Sequence, residues 1–282
     1  TNPSLRMSAL SSSGGLLLCM FLALGGHITS GSEHREALYV GDVSTNSVFK
    51  FPLHGNQEGH AFVQPGSGGL DGPRGIIFDG KRHLLVVNQN VDQSFPGEIL
   101  RYGACSGEFL GALVSHTDPH PPFAPRGIVL KDNILYVADE GDGVTVRLAR
   151  YDGTTGAFLG DLPVPETIVD EFNSTDFRPR SLVFGPDGLL YVSLFLSPDG
   201  FPNSGAVVRY NTHHAEFVDV FIAGTQANGN PYDLNRPEGL VFGPDGKLYI
   251  TRYALRKDQN LPRLTRYFSS ASKRTPTIQT RS

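Results

Sequence analysis

The chain contains no tryptophan and only two cysteines among its 282 residues. Cys19 lies in an apolar segment near the N-terminus, so a chain processed after that segment keeps only Cys105 and has no internal disulfide. A domain of this size does not need cross-links, so their absence leaves the compartment open. Long apolar runs are also scarce. The nine-residue run Leu16–Leu24 is too short to span a bilayer.

Several signatures of nucleic-acid binding and catalysis are missing. The net charge is −4 and no basic stripe with interleaved aromatic residues occurs, which argues against nucleic-acid binding. There is no Gly-x-Ser-x-Gly elbow, no glycine-rich phosphate loop and no paired-cysteine metal motif. The histidines do not recur at a fixed repeat position, and we interpret His116 and His120 as residues of a proline-rich loop.

What the sequence does contain is a repeated phrase, Pro-x-Gly/Ser followed by an aliphatic residue. Its prolines are separated by 52, 54 and 58 residues. The four copies are Pro73–Ile76, Pro125–Ile128, Pro179–Leu182 and Pro237–Leu240. A repeat with a period of this order predicts a propeller or another repeat array.

Each repeat contains four short apolar runs, as the third copy illustrates. Leu182–Phe184 is followed by a turn at Gly185–Gly188 and by a second run, Leu189–Val192. A third run ends in Arg-Tyr at Val207–Tyr210, and Phe217–Ile222 is the fourth. Proline presets φ and Asp-Gly tolerates positive φ, so the turn is typical of a hairpin. Four short strands per repeat predict one antiparallel propeller blade.

The sequence therefore predicts an all-β fold, a β-propeller of four-stranded antiparallel blades with five blade segments. Three segments are complete, the first lacks its first strand, and 269–282 has no fourth strand. The five blades either close imperfectly or belong to an incomplete six-bladed ring, and we favour the second because residue 1 is not methionine. We expect the propeller to span 33–268, with 269–282 as a disordered polar tail.

The N-terminal residues 1–32 differ from the rest. Met7, the apolar run and the small residues up to Ser32 are typical of a secretory signal peptide, and the alternative is a non-native extension. Asn173 begins an Asn-Ser-Thr glycosylation pattern. We expect a secreted protein with no integral membrane segment after signal removal.

The residue after each repeat proline is the first candidate for a site. Arg74, Arg126 and Arg180 would surround one mouth of the central channel if the Pro-x-Gly strand is innermost, and they would bind an anionic ligand through bidentate hydrogen bonds. The alternative is that each arginine pairs with a carboxylate, for which Asp42 and Asp139 are the natural partners.

A second candidate consists of polar residues directly after second strands. Asn88 and Asp139, together with Glu238, offer oxygen ligands for Ca²⁺ or Mg²⁺. The alternative is that Asp and Asn cap the turn after the strand. Glu238 breaks the arginine pattern, so it is a metal ligand, a general base or a salt-bridge partner.

The segment 236–250, in which Pro-x-Gly-Leu precedes Gly-Pro-Asp-Gly-x-Leu-Tyr, resembles the NHL-repeat superfamily of propellers. The resemblance covers about 36–267 and implies a propeller fold. Relatives of this superfamily include gluconolactonase/regucalcin-like hydrolases and streptogramin lyases, and it also includes binding scaffolds.

The resemblance to those enzymes does not extend to their sites. The lactonases hold a metal through Glu, Asn and Asp, but Arg126 stands where they tend to place Asn, and Glu238 is the one acidic residue at such a position. The lyases use a His and Glu pair with Mg²⁺, which no histidine here matches. We expect a binding module that engages a small molecule or protein at the blade-loop face. The alternative is a metal-dependent lactonase or lyase with Glu238 as its catalytic residue.

Overall fold

The computed structural model describes residues 37–53, 58–142, 146–164, 177–195, 205–222, 234, 237–253, 262–267 and 278–279. In these ranges the protein is all-β, with nineteen strands in five antiparallel sheets and one 3-10 turn at Ser67–Gly69. No helix within these ranges is long and apolar enough to cross a membrane. The expected signal segment and Asn173 lie outside the described residues.

We number the sheets as blades in chain order. Blade 1 contains β1 (Ala37–Asp42), β2 (Ser47–Pro52) and β3 (His60–Val63). Blade 2 contains β4 (Pro73–Phe78), β5 (His83–Asn88), β6 (Glu98–Gly103) and β7 (Phe109–Val114). Blade 3 contains β8 (Pro125–Lys131), β9 (Ile134–Asp139), β10 (Arg147–Asp152) and β11 (Phe158–Leu162). Blade 4 contains β12 (Arg178–Phe184), β13 (Leu190–Phe195), β14 (Gly205–Asn211) and β15 (Glu216–Ile222). Blade 5 contains β16 (Pro237–Phe242), β17 (Leu248–Tyr253), β18 (Pro262–Tyr267) and β19 (Ile278–Gln279).

The strands of every blade follow one another in the sheet in chain order. The four Pro-x-Gly strands β4, β8, β12 and β16 lie at one edge of their sheets and pack against each other from blade to blade. They are therefore the innermost strands, which is the condition for the predicted position of the three arginines, and they line a central channel. One expectation for blade 5 is wrong. The short strand β19 pairs with β18, with Tyr267 opposite Ile278, so a fourth strand does follow Tyr267.

Each innermost strand carries a β-bulge at the same place. In blade 2, Pro73 lies opposite Asn88 and Ile76 opposite Val86, so two residues of β4 face one residue of β5. The same shift occurs in β8, β12 and β16. A bulge interrupts the ladder and redirects a side chain. Here the bulge holds the variable residue of the phrase, which is Arg74 in blade 2.

The glycine of the phrase permits close approach of neighbouring blades. A Cβ atom on Gly127 would lie 2.5 Å from the carbonyl oxygen of Arg180, and one on Gly75 would lie 2.8 Å from that of Arg126. In blade 4 this position is Ser181, whose Oγ accepts a hydrogen bond from the Leu240 amide of blade 5 at 3.3 Å. The inner strands therefore touch backbone to backbone.

The hydrophobic core lies in the seams between blades. Between blades 3 and 4, for example, Tyr136 packs with Leu182, Leu190 and Val192. The tyrosines of two Arg-Tyr pairs, Tyr102 and Tyr151, add a hydrogen bond to the backbone of a linker. The hydroxyl of Tyr151 donates to the His120 carbonyl at 2.9 Å, and that of Tyr102 to the Ser67 carbonyl at 2.8 Å. These contacts fix the linkers that join one blade to the next.

Candidate functional site

The two ends of the blades differ, and we name them for their loops. The hairpin face holds the turns between first and second strands, at 79–82, 132–133, 185–189 and 243–247. The mouth face is the opposite end, where first strands begin and second strands end. Its described loops include 43–46, 64–72, 89–97, 115–124 and 140–142, and the sequence-predicted arginines lie beside the last three.

Arg126 and Arg180 converge on one carboxylate, that of Glu140. Arg126 Nε donates to Glu140 Oε2, and Arg180 Nη2 lies 2.8 Å from Glu140 Oε1. Arg126 and Glu140 belong to blade 3, whereas Arg180 belongs to blade 4. The side chains are 19%, 12% and 11% exposed for Arg126, Arg180 and Glu140. A largely buried ion-pair cluster therefore bridges two blades at the channel mouth.

The electrostatics of Arg180 tie Glu238 to this cluster. Burial lowers the pKa of Arg180, Glu238 and Glu140 act in the opposite direction, and Arg126 lowers it further. Arginine nevertheless stays protonated in proteins. The Nε atom of Arg180 is buried and has no hydrogen-bond partner among the described residues. The structure thus brings three of the predicted positions, 126, 180 and 238, into one set of interacting charges.

Arg74 occupies the equivalent position in blade 2. It is 8% exposed, and its Nε donates to Gln89 Oε1 at 2.8 Å.

The arginine of blade 4 contacts a different type of residue: the Arg180 guanidinium lies 5.5 Å from the centroid of the Phe195 ring. By strand pairing, Gln89, Glu140 and Phe195 share one blade position, one residue after Asn88, Asp139 and Leu194. Sequence reasoning missed this position because it stopped one residue earlier.

Asp139, the expected arginine partner, instead holds the neighbouring loop. Its carboxylate accepts from the amides of Phe123 at 2.9 Å, Ala124 at 2.8 Å and Gly141 at 3.0 Å, and from Arg147 Nε at 3.0 Å. The expected pairing of Asp139 with the channel arginines is therefore wrong. The reason is alternation along a strand, which sends successive side chains to opposite faces.

Asp42 and Asn88 have the same local role. The carboxylate of Asp42 accepts from the Ser44 amide at 2.8 Å and from the Thr45 hydroxyl at 2.9 Å, so it caps its own turn rather than pairing with an arginine. Asn88 Oδ1 accepts from the Asp71 amide at 2.7 Å, and its Nδ2 donates to Asn90 Oδ1 at 2.7 Å. These contacts order the mouth-face loops of blades 1 and 2.

The three predicted metal ligands lie on three blades, with Asn88 in blade 2, Asp139 in blade 3 and Glu238 in blade 5. Across the part of the chain that the structure describes, no group of three His, Cys, Asp or Glu side chains is arranged to hold a metal ion. The role of these residues with Ca²⁺ or Mg²⁺ stays a prediction.

Exposed apolar side chains lie on the same face as the charged cluster, on the loops 89–97 and 115–124. We call Val91, Phe95 and Phe123 the mouth rim; they are 41%, 38% and 46% exposed. The Gly97 amide donates to the Phe123 carbonyl at 2.9 Å, which joins the two loops that carry the rim. Phe95 packs on the ring of His116, with centroids 4.3 Å apart. Apolar groups next to fixed charges are the usual composition of a ligand site.

Comparison with known proteins supports the propeller fold. No family model and no curated protein matches the sequence. Among solved structures, a chain of the nidogen/laminin complex is 17% identical, with 83% of this chain and 72% of that chain covered and a TM-score of 0.55. The chain is a β-propeller.

Two further solved structures share the fold. A hypothetical selenium-binding protein from Sulfolobus tokodaii is 13% identical, with 88% of this propeller and 59% of that chain covered and a TM-score of 0.56. The extracellular domain described for a hybrid two component system of B. thetaiotaomicron is 11% identical, with 94% of this chain and 28% of that chain covered and a TM-score of 0.53. The propeller thus spans less than two thirds of each of these two chains. At such identities the likeness shows the fold alone.

Proposed function

We propose that this chain is a secreted, NHL-type propeller that works as a binding module and takes its ligand at the mouth face. The observation that carries the proposal is the cluster of Arg126, Glu140 and Arg180, whose largely buried charges meet across two blades at the channel mouth. The exposed mouth rim lies on the same face. Fixed charges beside apolar surface give a ligand both orientation and contact area.

The residues that a metal-dependent enzyme would use have other contacts. Asp139 accepts four hydrogen bonds from the blade 3 loop and Arg147, so binding a cation there would break contacts that order the loop. The charge of Glu238 acts on the buried Arg180. These contacts favour binding over catalysis. Secretion is proposed from the apolar segment in residues 1–32.

The test is a chemically mixed library of cationic, neutral and anionic small molecules, screened by thermal shift. The proposal predicts ligands that raise the melting temperature of the wild type but not of a rim variant, Phe95→Ser with Phe123→Ser. The matched control is Leu110→Ser with Leu159→Ser, because these leucines are 48% and 45% exposed on the outer strands β7 and β11. Ligands that stabilise the rim variant as much as the control would place binding elsewhere and overturn the proposal.

A further inference from the structure

We infer that the ligand of the mouth face is an organic carboxylate, and that Glu140 occupies its place between Arg126 and Arg180 in the free protein. The inference rests on the proposed function, since it names the ligand class of the same face. The ligand would displace the Glu140 side chain and take over its two ion pairs. The Glu140 carboxylate thus occupies the position that the carboxylate of the ligand would take.

The geometry of the two arginines defines the chemistry of the ligand. Each oxygen of the Glu140 carboxylate meets one guanidinium, Oε2 that of Arg126 and Oε1 that of Arg180. The two guanidinium groups come from different blades, so their spacing is set by the packing of the inner strands and not by a flexible loop. A carboxylate of a ligand fits the same two positions, because arginine donors match carboxylate oxygens in geometry and charge.

One donor of the cluster is left for an anion. The buried Nε of Arg180 has no hydrogen-bond partner among the described residues. A bound anion would therefore find at least one unused donor beside the two guanidinium groups that now hold Glu140.

The Glu140 carboxylate has fewer partners among the described residues than that of its neighbour Asp139. Within the described residues, the Glu140 carboxylate makes ion pairs with the two guanidinium groups alone, whereas Asp139 accepts four hydrogen bonds. The Glu140 backbone is anchored separately, because its amide donates to the Ala124 carbonyl at 3.1 Å. The side chain can therefore rotate away without unfolding the loop.

The rim indicates what the rest of the ligand looks like. Phe123 precedes Ala124 in the loop that anchors Glu140, and its ring is 46% exposed. A carboxylate with an apolar or aromatic body would place its charge on the arginines and its body near Phe123. Benzoate has this chemistry, acetate has only the charge, and inorganic phosphate has charge with a different geometry.

The experiment is calorimetric titration of the full chain with benzoate, acetate and inorganic phosphate. We expect benzoate to bind best, and Glu140→Gln to raise its affinity about tenfold, since the competing negative charge is gone. Arg180→Gln and the double variant Arg126→Gln with Glu140→Gln should lose binding. Arg209→Gln is the control, because Arg209 pairs with Asp219 and Asp187 on the hairpin side.

Three outcomes would overturn the inference. One is a lower benzoate affinity in Glu140→Gln than in the wild type, and another is unchanged binding in Arg180→Gln. The third is phosphate binding that exceeds benzoate binding. If Glu140→Gln does not fold, the comparison of benzoate affinity between the wild type and Arg180→Gln still tests the inference. Rim-dependent library ligands without any benzoate binding would refute the carboxylate inference and leave the proposed function standing.

Discussion

The hairpin turns of blades 4 and 5 repeat the same residues, whereas the mouth-face position at the end of each second strand varies from blade to blade. In blades 4 and 5, Asp187 and Asp245 accept hydrogen bonds from the tyrosine hydroxyls of Tyr191 at 2.8 Å and Tyr249 at 3.1 Å. At the mouth, one blade position is Gln89, then Glu140, then Phe195. The repeated Asp-Tyr pair therefore stabilises the turn of its blade, whereas the variable position determines what each channel arginine contacts.

The largest expected effect concerns a repeated turn. Gly156 has φ +77°, and a Cβ on it would overlap the carbonyl oxygen of Leu113 in the preceding blade. We expect Gly156→Ala to lower the free energy of unfolding by about 4 kcal/mol, from backbone strain plus overpacking. Urea unfolding measures it.

The control separates clash from strain. Gly188 has φ +80°, but nothing lies within 4 Å of its Cβ position. Gly188→Ala should therefore cost only about 1 kcal/mol. Equal losses in the two variants would show that close packing between blades is not what requires Gly156.

The second prediction compares the same kind of substitution, carboxylate to amide, on the two faces. Glu140→Gln leaves two largely buried guanidinium groups without their carboxylate, so we expect a loss of about 3 kcal/mol in the free energy of unfolding. Asp219→Asn removes one of the two carboxylate partners of Arg209 and leaves Asp187, and Asp219 is 44% exposed, so the loss should stay below about 1 kcal/mol. Chemical denaturation of both variants measures the difference. A larger loss for Asp219→Asn would reverse the ranking of the faces.

The third prediction concerns divalent ions. Because the Asp139 carboxylate is occupied by loop hydrogen bonds, we expect Ca²⁺ and Mg²⁺ at millimolar concentration to shift the melting temperature by less than about 1 °C. The measurement is a thermal melt with and without each ion, for the wild type and Glu238→Gln. A shift of several degrees that Glu238→Gln abolishes would instead support the metal-dependent lactonase or lyase.

The smallest expected effect is a loss of folding stability at acid pH that comes from Asp79 on the hairpin face. Burial acts to raise the pKa of Asp79, but hydrogen bonds from His83 and the Lys81 amide outweigh it and lower the pKa. The contribution of Asp79 to stability is therefore present above its unfolded pKa of about 3.9 and is lost as pH falls through the lower folded value.

Urea unfolding between about pH 5 and pH 2 measures this dependence. Asp79→Asn should flatten the fall in stability at the acid end. Asp132→Asn, in the corresponding turn of blade 3, should keep the wild-type profile, since Asp132 makes no side-chain hydrogen bond among the described residues. An unchanged profile in Asp79→Asn would rule out this acid contribution.

The blades were predictable because their determinants are local. The turn Gly185–Gly188 and the apolar runs on each side specify a hairpin without help from distant residues, and the structure confirms it. The position of the arginines at the channel mouth depended on the Pro-x-Gly strands being innermost, and the structure meets that condition. The short β19 was missed because a two-residue strand in a polar segment has no apolar pattern.

The mouth was predictable only in part. The sequence indicated that Arg126 and Arg180 face the channel, and the structure brings both together. It also suggested Asp139 as their partner, although Glu140 has that role. Adjacent residues at a strand end lie on opposite faces of the sheet, so Asp139 and Glu140 have different partners. The local sequence pattern does not predict the exact residue at which a strand ends.

The bulge in each innermost strand makes the channel mouth easy to alter. Because two residues of β4 stand opposite one residue of β5, the variable position of the phrase is not needed to keep the pairing in register. Arginine and glutamate both occupy it in this chain, at Arg180 and Glu238, and the strands on either side keep the same pairing. A single substitution at this position can thus change the charge of the channel lining, while the backbone pairing of the innermost strand stays the same.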